Sequence, residues 1–338
     1  MLLEMASDQI YLPDAPAIPG LAFRLFRDES DYAYIVDLIN ACNAADEVED
    51  LATVEWAANY YAYIAEFDPR RDILFAVLDD RPVGWVYGRV KRLAEGLSAH
   101  MIDGGVLPRW RRHGIGGALQ QWVEEHLREI AERPQTGGLR VFRSFAAETE
   151  AGTIALLYAA GYDPIRYHFE MIRPLAEPIP DLPLPAGLEV RPVMPEQYRQ
   201  VFAALDEAFH DLWSHSEWTE NDYQRWTNSS SFQPQLWQVA WAGDEVAGLV
   251  LNFIDNEYNQ AFKRRRGWTD PIGIRRPWRR RGLARALIAR SLCLLQEQGM
   301  AEAGLGVDAQ NPNGALRLYE SLGFRAVKQF TTFEKPMD

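Results

Sequence analysis

Cysteine, long apolar runs and excess positive charge are all scarce in this 338-residue chain, and each shortage excludes a class of protein. Its two cysteines, Cys42 and Cys293, stand in no paired motif, which argues against a cysteine metal cluster and is typical of free thiols in a reducing cytosol. No run approaches the roughly 18 apolar residues of a membrane span, and the N-terminus lacks a signal-peptide pattern. The net charge of −13 argues against a general nucleic-acid binder. We therefore expect a soluble, cytoplasmic protein of about two domains.

A proline-rich stretch divides the chain into two nearly equal parts. Residues 173–187 read RPLAEPIPDLPLPAG, a sequence that favours an extended linker over a helix or a central strand. The predicted divisions are an N-terminal arm (1–20), a first domain (21–175), a linker (176–187) and a second domain (188–338).

The two parts repeat the same order of patterns. Each begins with a short alternating segment and a helical stretch, followed by a hairpin signal at 73–90 and again at 237–254. A turn rich in arginine and glycine then leads into an amphipathic helix, and the two turns, VLPRWRRHGIG (106–116) and IRRPWRRRGLA (274–284), align without gaps. Each part reads β-α-α-β-β-β-α-β-α-β, which predicts a duplicated mixed α/β fold.

The turn before each amphipathic helix suits a phosphate group. The first N–H groups of a helix have no partner within it, and the helix dipole is positive there. Glycine keeps side chains away from an approaching anion, and arginines add charged donors. An ordinary helix start is the alternative, but two copies in matching contexts favour the phosphate site. The expected binding residues are Arg111, Arg112, His113, Gly114, Ile115, Gly116 and Gly117 in the first part, and Arg279, Arg280, Arg281, Gly282, Leu283, Ala284 and Arg285 in the second.

These turns and a later motif resemble the GCN5-related N-acetyltransferase (GNAT) family throughout both parts. The family's pyrophosphate loop, Arg/Gln-x-x-Gly-x-Gly/Ala, matches Arg111-x-x-Gly114-x-Gly116 and Arg279-x-x-Gly282-x-Ala284. The later motif is NPNGALRLYESLGF at 311–324. The resemblance implies two tandem domains, each a mixed, mostly antiparallel splayed sheet flanked by helices, related by a pseudo-two-fold duplication.

The same resemblance implies acetyl-CoA as co-substrate and no metal. Its pantetheine arm is expected along the strand before each loop, and a residue of the later motif is expected to contact it as well. The residues so implied are Val106 in the first part, and Ile272, Ile274 and Asn311 in the second.

The two parts differ where acetyl transfer needs chemistry. Transfer requires a deprotonated amine, N–H donors for the tetrahedral oxyanion, and an acid near the departing thiolate. Tyr319 matches the tyrosine that the resembling enzymes use as this acid. When Gly161 is aligned with Gly323, Leu157 takes that position in the first part, and Tyr158 is rotated by about 100° from it. This predicts catalysis in the second part alone.

A carboxylate in the strand before the second turn is the candidate base. Asp270 lies in the segment WTDPIGI, where strand alternation puts it on one face with Ile272 and Ile274, and a main-chain N–H near Ile274 is the expected oxyanion donor. Because Pro271 follows, an Asx turn or a strand irregularity is the alternative explanation for Asp270. Glu257 is a second candidate base, with a solvated loop as its alternative.

The expected function is N-acetyl transfer from acetyl-CoA to a primary amine of a small molecule or peptide by direct attack. The alternatives are acetylation of a sugar-linked cysteine amine and acetyl-CoA binding without transfer. The basic run Lys263–Arg266 leaves the ribose phosphate, an anionic acceptor, solvent or, with least support, nucleic acid as its partner. The aromatic segment from His210 to Trp226 is a candidate acceptor pocket, with core packing as the alternative. A monomer or homodimer without a membrane partner is expected.

Overall fold

The chain forms two compact units in the computed structural model, which describes residues 9–93, 96–132 and 138–337. Unit 1 comprises Met1–Ile165 and Thr331–Asp338, and unit 2 comprises Arg166–Phe330. Within the described residues, no helix combines the length and apolar character needed to cross a membrane.

Unit 1 is a mostly antiparallel sheet with helices on both faces. Its helices are α1 (Asp31–Ala45), α2 (Val54–Ala62), α3 (Pro69–Asp72), α4 (Ile115–Ala131) and α5 (Ala151–Ala159). Its strands are β1 (Gln9–Ile10), β2 (Leu21–Leu25), β3 (Ile73–Leu78), β4 (Arg81–Arg92), β5 (Ser98–Val106) and β6 (Arg140–Ala147), adjacent in that order.

Unit 2 has the same kind of architecture. Its helices are α6 (Tyr198–Phe209), α7 (Glu220–Thr227), α8 (Asn256–Phe262), α9 (Leu283–Glu297) and α10 (Ala315–Ser321). Its strands are β7 (Asp163–Pro174), β8 (Glu189–Val190), β9 (Gln238–Ala242), β10 (Glu245–Phe253), β11 (Arg266–Ile274) and β12 (Glu302–Asp308), in the spatial order β7-β12-β11-β10-β9-β8. The predicted mixed α/β fold is confirmed in both units.

The compact units differ from the sequence repeats in their last strands. β7 ends the first repeat, yet from Arg166 onward it belongs to unit 2, where seven of its residues pair with β12. The last strand of the second repeat, β13 (Arg325–Pro336), enters unit 1 from Thr331 onward, next to β6. There Glu334 accepts a hydrogen bond from Arg143 at 2.7 Å, and Phe333 is 2% exposed in the core. Each unit is therefore completed by a strand that the other repeat encodes.

Both sheets open at one parallel strand pair, as the sequence predicts. β5 and β6 pair only over 98–101 and 140–143. β11 and β12 pair only over 266–268 and 302–304. Beyond these pairs the strands diverge, and the strand edges bordering the gap keep N–H and C=O groups that no neighbouring strand takes up.

The helices that follow the two turns are held by their apolar faces. In α4, Leu119, Val123 and Leu127 recur every four residues and are at most 2% exposed, which is the spacing of one helix face. Leu283 and Leu287 begin the matching face of α9 and are equally buried. The start of each helix is thereby fixed against its sheet beside the gap.

Candidate active site

The turn before α9 is open to an anion. Gly282 has a left-handed φ of 85°, and within the described part of the chain no atom lies within 4 Å of the position that its Cβ would take. Leu283 is 1% exposed in the core, so only its main-chain N–H faces the turn. Arg280, Arg281 and Arg285 are exposed and have no side-chain hydrogen bond within the residues that the structure describes. The geometry suits the predicted phosphate site.

Arg279 bonds to the protein at each of its three guanidinium nitrogens. Its Nε donates to the carbonyl oxygen of Ile274 (2.9 Å), its Nη1 to a carboxylate oxygen of Asp211 (2.6 Å), and its Nη2 to the carbonyl oxygen of Ala208 (3.0 Å). Hydrogen bonds from Arg276 and Arg279 hold the pKa of Asp211 well below its usual range. These bonds fix the turn against α6, a contact that the sequence patterns did not indicate.

Arg111 makes the matching contacts in unit 1. Its Nε donates to the carbonyl oxygen of Val106 (3.1 Å), and its two terminal nitrogens donate to Asp46 at 2.6 and 2.7 Å. This matching set of contacts, called here the arginine clamp, occurs at equivalent positions in both units. We therefore assign Arg111 and Arg279 to holding the turn, while their contact with a phosphate stays a prediction.

The first turn is covered where the second is open. Gly114 has a φ of 89°, but the position of its Cβ would lie 3.2 Å from Pro16 of the N-terminal arm. The neighbouring Asp14 accepts a hydrogen bond from Gln121 of α4 at 3.1 Å. The arm therefore lies against this turn. A cavity of about 660 Å³ still extends into unit 1 from the turn, and its lining includes Arg112, Gly114, Gly116 and Gly117.

Two main-chain N–H groups of β11 face the gap in unit 2. Arg275 donates its N–H to Ala247 at 3.2 Å, so residue 275 is hydrogen-bonded to β10. Bonding alternates along an antiparallel pair, and the register matches Ile274 with Gly248 and Ile272 with Val250. The N–H groups of Ile272 and Ile274 therefore point away from β10, into the opening beside β12.

The expected strand alternation around Asp270 is wrong because β11 contains a bulge. The register with β10 shifts between Val250 and Asn252, where Asp270 and Pro271 face a single residue. A Cβ on Gly267 would contact Leu295 of α9, whereas one on Gly273 would contact α6, so these positions face opposite sides. The strand irregularity considered as the alternative is present.

The bulge carries Asp270 across the gap to β12. The Asp270 carboxylate lies close to Gly306, with Oδ2 3.6 Å from the position that a Cβ on Gly306 would take. Burial raises the pKa of Asp270 to about 6, and the nearby N–H of Gly306 opposes this shift. A carboxyl group with this pKa is ionised at neutral pH and is still a competent proton acceptor.

Tyr319 of α10 lies close to Asp270. The phenol is 8% exposed, and burial together with the charge of Asp270 raises its pKa above the usual value. In unit 1, Leu157 is 2% exposed and lines the cavity, while Tyr158 is 53% exposed. The predicted one-position shift between the two repeats is therefore present, since Leu157 takes the buried position that corresponds to Tyr319.

The remaining candidate residues either are exposed away from the gap or make contacts that stabilise the local structure. The Asn311 Oδ1 accepts the N–H of Asn313 at 2.8 Å and shapes the turn before α10. Glu257 is exposed in the first turn of α8. The Nδ1 of His113 donates a hydrogen bond to the carbonyl oxygen of Arg111 at 2.8 Å. Ile115 is 1% exposed, so its side chain is core.

The basic run at 263–266 is remote from the phosphate turn. Lys263–Arg265 are exposed, whereas Arg266 is 4% exposed and donates to Glu302 (2.8 Å) and Glu170 (2.7 Å). β11 separates Arg266 from Ile274 by about 26 Å, since a strand rises about 3.3 Å per residue. This separation argues against a contact of the run with a phosphate bound at the turn.

The aromatic segment from His210 to Trp226 packs mainly on side chains from other parts of unit 2. Phe202 contacts Trp218 and Trp226 at 5.1 and 5.5 Å between ring centroids, and Trp226 stacks on Trp237 at 5.3 Å. Trp213 lies over the Arg166 guanidinium at 5.0 Å. Among the described residues no three His, Cys, Asp or Glu side chains are arranged to hold a metal ion.

Two features of unit 1 were not predicted. Gly104 aligns with Ile272, and the same alternation argument turns its N–H into the gap, since Leu107 donates to β4. That N–H already donates to the carboxylate of Asp103 at 2.8 Å. Reduced solvation inside the cavity raises the pKa of Asp103 and also that of Glu150, and both residues line that cavity. The sequence signal that could have revealed this contact is an acidic residue directly before two glycines, Asp103-Gly104-Gly105.

Comparison with known proteins shows which family has this arrangement. The model of the acetyltransferase (GNAT) family matches residues 32–134 and 198–324, once in each repeat. A mycothiol acetyltransferase of Thermobispora bispora is 31% identical over 226 residues, covering 65% of this chain and 70% of the relative. One from Geodermatophilus obscurus is 28% identical and covers 88% of this chain and 92% of the relative.

Solved structures agree with the family match. A GCN5-related N-acetyltransferase from Sphaerobacter thermophilus superposes with a TM-score of 0.69 at 25% identity, covering 95% of this chain and 96% of that one. A tandem GNAT protein from the clavulanic acid biosynthesis pathway shares the fold, with a TM-score of 0.64 at 18% identity, 94% coverage of this chain and 99% of that one. The chain belongs to the acetyltransferase (GNAT) family, as an acyl-CoA-dependent N-acetyltransferase with a tandem architecture. Members of this family use acetyl-CoA.

Proposed function

We propose that the gap between β11 and β12 transfers an acetyl group from acetyl-CoA to a primary amine, and that unit 1 does not catalyse. The observation that carries this proposal is the pairing of Asp270 with Tyr319 at a gap lined by free N–H groups. The corresponding gap of unit 1 has Leu157 in place of the phenol and a donor already bonded to Asp103.

The residues of unit 2 fit acetyl-CoA. The open glycine turn and the exposed Arg280, Arg281 and Arg285 suit its phosphates, and the edge formed by Ile272 and Ile274 suits its amide-containing arm. When bound, acetyl-CoA supplies an activated acetyl thioester. The fit is supported by hydrogen-bond donors without an acceptor among the described residues, namely the main-chain N–H groups at the gap and the arginine side chains at the turn.

Three groups of the chain then share the chemistry. Asp270 is ionised above pH 6 and takes a proton from the amine as the new N–C bond forms. The N–H of Ile272 or Ile274 stabilises the negative charge that develops on the carbonyl oxygen. Tyr319, held protonated by its raised pKa, donates its proton to the sulfur as the C–S bond breaks.

The acceptor has two candidates. A general small-molecule or peptide amine follows from the site alone. The sugar-linked cysteine amine is the second, and it is favoured by the match to mycothiol acetyltransferases over most of both chains. Thiol release from acetyl-CoA, measured over an amine panel that contains the cysteine-linked sugar, separates the two. Turnover with that compound alone supports the second candidate.

The test of the catalytic assignment is Tyr319→Phe. Loss of the acid is expected to lower kcat about 10²-fold while the KM for acetyl-CoA changes little, since the phenol acts on the leaving sulfur. Tyr158→Phe is the matched control, because that phenol is exposed. Unchanged kcat in Tyr319→Phe together with lost turnover in Tyr158→Phe would assign catalysis to unit 1.

A further inference from the structure

At the closed end of the gap in unit 2, the side chain of Trp268 packs against Gly304. Pairing between β11 and β12 stops at Trp268 and Gly304. The indole lies over Gly304 so closely that a Cβ there would stand 2.9 Å from two of its ring carbons. Glycine in a strand interior commonly marks such a close approach. The gap therefore begins at an aromatic wall.

Contacts on several sides fix this wall. Phe253 stacks on the indole with centroids 6.1 Å apart, and Tyr258 meets it at 6.0 Å with a steep interplanar angle of 73°. The Arg266 guanidinium lies 5.4 Å from the ring and is itself held by Glu170 and Glu302. A ring confined in this way cannot rotate aside at low cost.

The wall stands close to the reacting position. Trp268 precedes Asp270 by two residues, about 7 Å along an extended strand. Next to it the Asp270 carboxylate reaches Gly306 of β12, with Oδ2 3.6 Å from the position of a Cβ there. Little length remains beyond the carbonyl carbon of a thioester placed at Asp270 and Ile272.

We propose that Trp268 limits the acyl group to two carbons by closing the gap behind the reacting carbonyl. This inference rests on the proposed function of unit 2. It assigns Trp268 to acyl-chain specificity, with no part in proton transfer. Longer acyl chains must displace the ring, and one extra methylene against a fixed wall typically costs a factor of 10 to 200 in kcat/KM.

The experiment compares acetyl-, propionyl- and butyryl-CoA with the wild type and with Trp268→Ala. The wild type is expected to favour acetyl-CoA at least tenfold over butyryl-CoA in kcat/KM. Trp268→Ala is expected to raise the butyryl-to-acetyl ratio at least tenfold. Trp56→Ala is the control, since that indole is exposed in unit 1. A ratio that stays at the wild-type value in Trp268→Ala overturns the proposal.

A second arm covers a variant that fails to fold or an acceptor that is not found. Trp268→Leu keeps an apolar side chain, and calorimetric Kd values for CoA, acetyl-CoA and butyryl-CoA need no acceptor. They are measured in a Gly114→Asp background, which leaves the turn of unit 2 as the binding site. Absence of CoA binding there contradicts the proposed function. Binding of CoA and acetyl-CoA with an unchanged butyryl-CoA Kd in Trp268→Leu contradicts only the role of Trp268.

Discussion

Individual hydrogen bonds separate the two gaps more sharply than their motifs do. Gly104 and Ile272 occupy equivalent positions, and both direct an N–H into a gap. In unit 1 the Asp103 carboxylate accepts that N–H at 2.8 Å, whereas Asp270 in unit 2 reaches across to Gly306. Both acids are visible in the sequence. The main-chain N–H that each carboxylate approaches could not be predicted, because it depends on a one-residue bulge in β11. The bulge moves every side chain after it to the opposite face of the strand.

Asp270→Asn tests the environment of that carboxyl. The pKa of Asp270 is about 6 in the folded chain and 3.8 in the unfolded reference, so folding takes up a proton between these values. Stability contributed by this group is therefore present below pH 4 and is lost as the pH rises to 6. The Asn variant avoids this loss. It is expected to be more stable than the wild type at pH 8, with the difference reduced at pH 5, in urea unfolding at both pH values. Lower stability of the variant at pH 8 would contradict the buried, ionised carboxylate.

Turns and helices were predictable from the sequence, whereas the partners of the last strands were not. The hairpins, the two glycine turns and the amphipathic helices follow from local spacing and turn chemistry, and the structure has all of them. The exchange of β7 and β13 leaves no local trace, because the residues of a strand do not by themselves specify which strand it pairs with. The sequence repeat therefore ends at a different place from the compact unit.

Phe333→Ala tests the exchange of β13. The ring is 2% exposed in the core of unit 1 and meets Tyr158 edge-on at 5.5 Å, so its loss is expected to cost about 3–5 kcal/mol. Hydrogen exchange is expected to accelerate in α4 and β6, with α9 and β11 unchanged. Val327→Ala, an exposed position on the same strand, is the control. Acceleration confined to α9 and β11 would show that β13 completes unit 2 instead.

At the scale of the whole molecule, two copies of one fold share the glycine turn and differ in the side chains at the gap. Both turns retain a left-handed glycine and an arginine clamp. Within the described residues, the second turn is open at Gly282, and its repeat places Tyr319 near Asp270, whereas Leu157 takes the position of Tyr319 in the first repeat. The difference between Tyr319 and Leu157 was visible in the sequence, and the division of roles that it predicts stays a prediction. The contact of Pro16 with the first turn was not predictable from the repeat, because Pro16 belongs to the N-terminal arm, which lies outside it.

The central claim, that acetyl transfer takes place in unit 2, is tested most directly by the matched substitutions Gly282→Asp and Gly114→Asp. Both glycines have a left-handed φ, so both variants carry a backbone strain of about 1–2 kcal/mol, to which Gly114→Asp adds a close contact with Pro16. The measurement is kcat/KM for acetyl-CoA in the thiol-release assay. Gly282→Asp places a carboxylate where the phosphates bind and is expected to lose at least 10²-fold, while Gly114→Asp stays within a few-fold of the wild type. A large loss in Gly114→Asp with Gly282→Asp near the wild type would contradict the account.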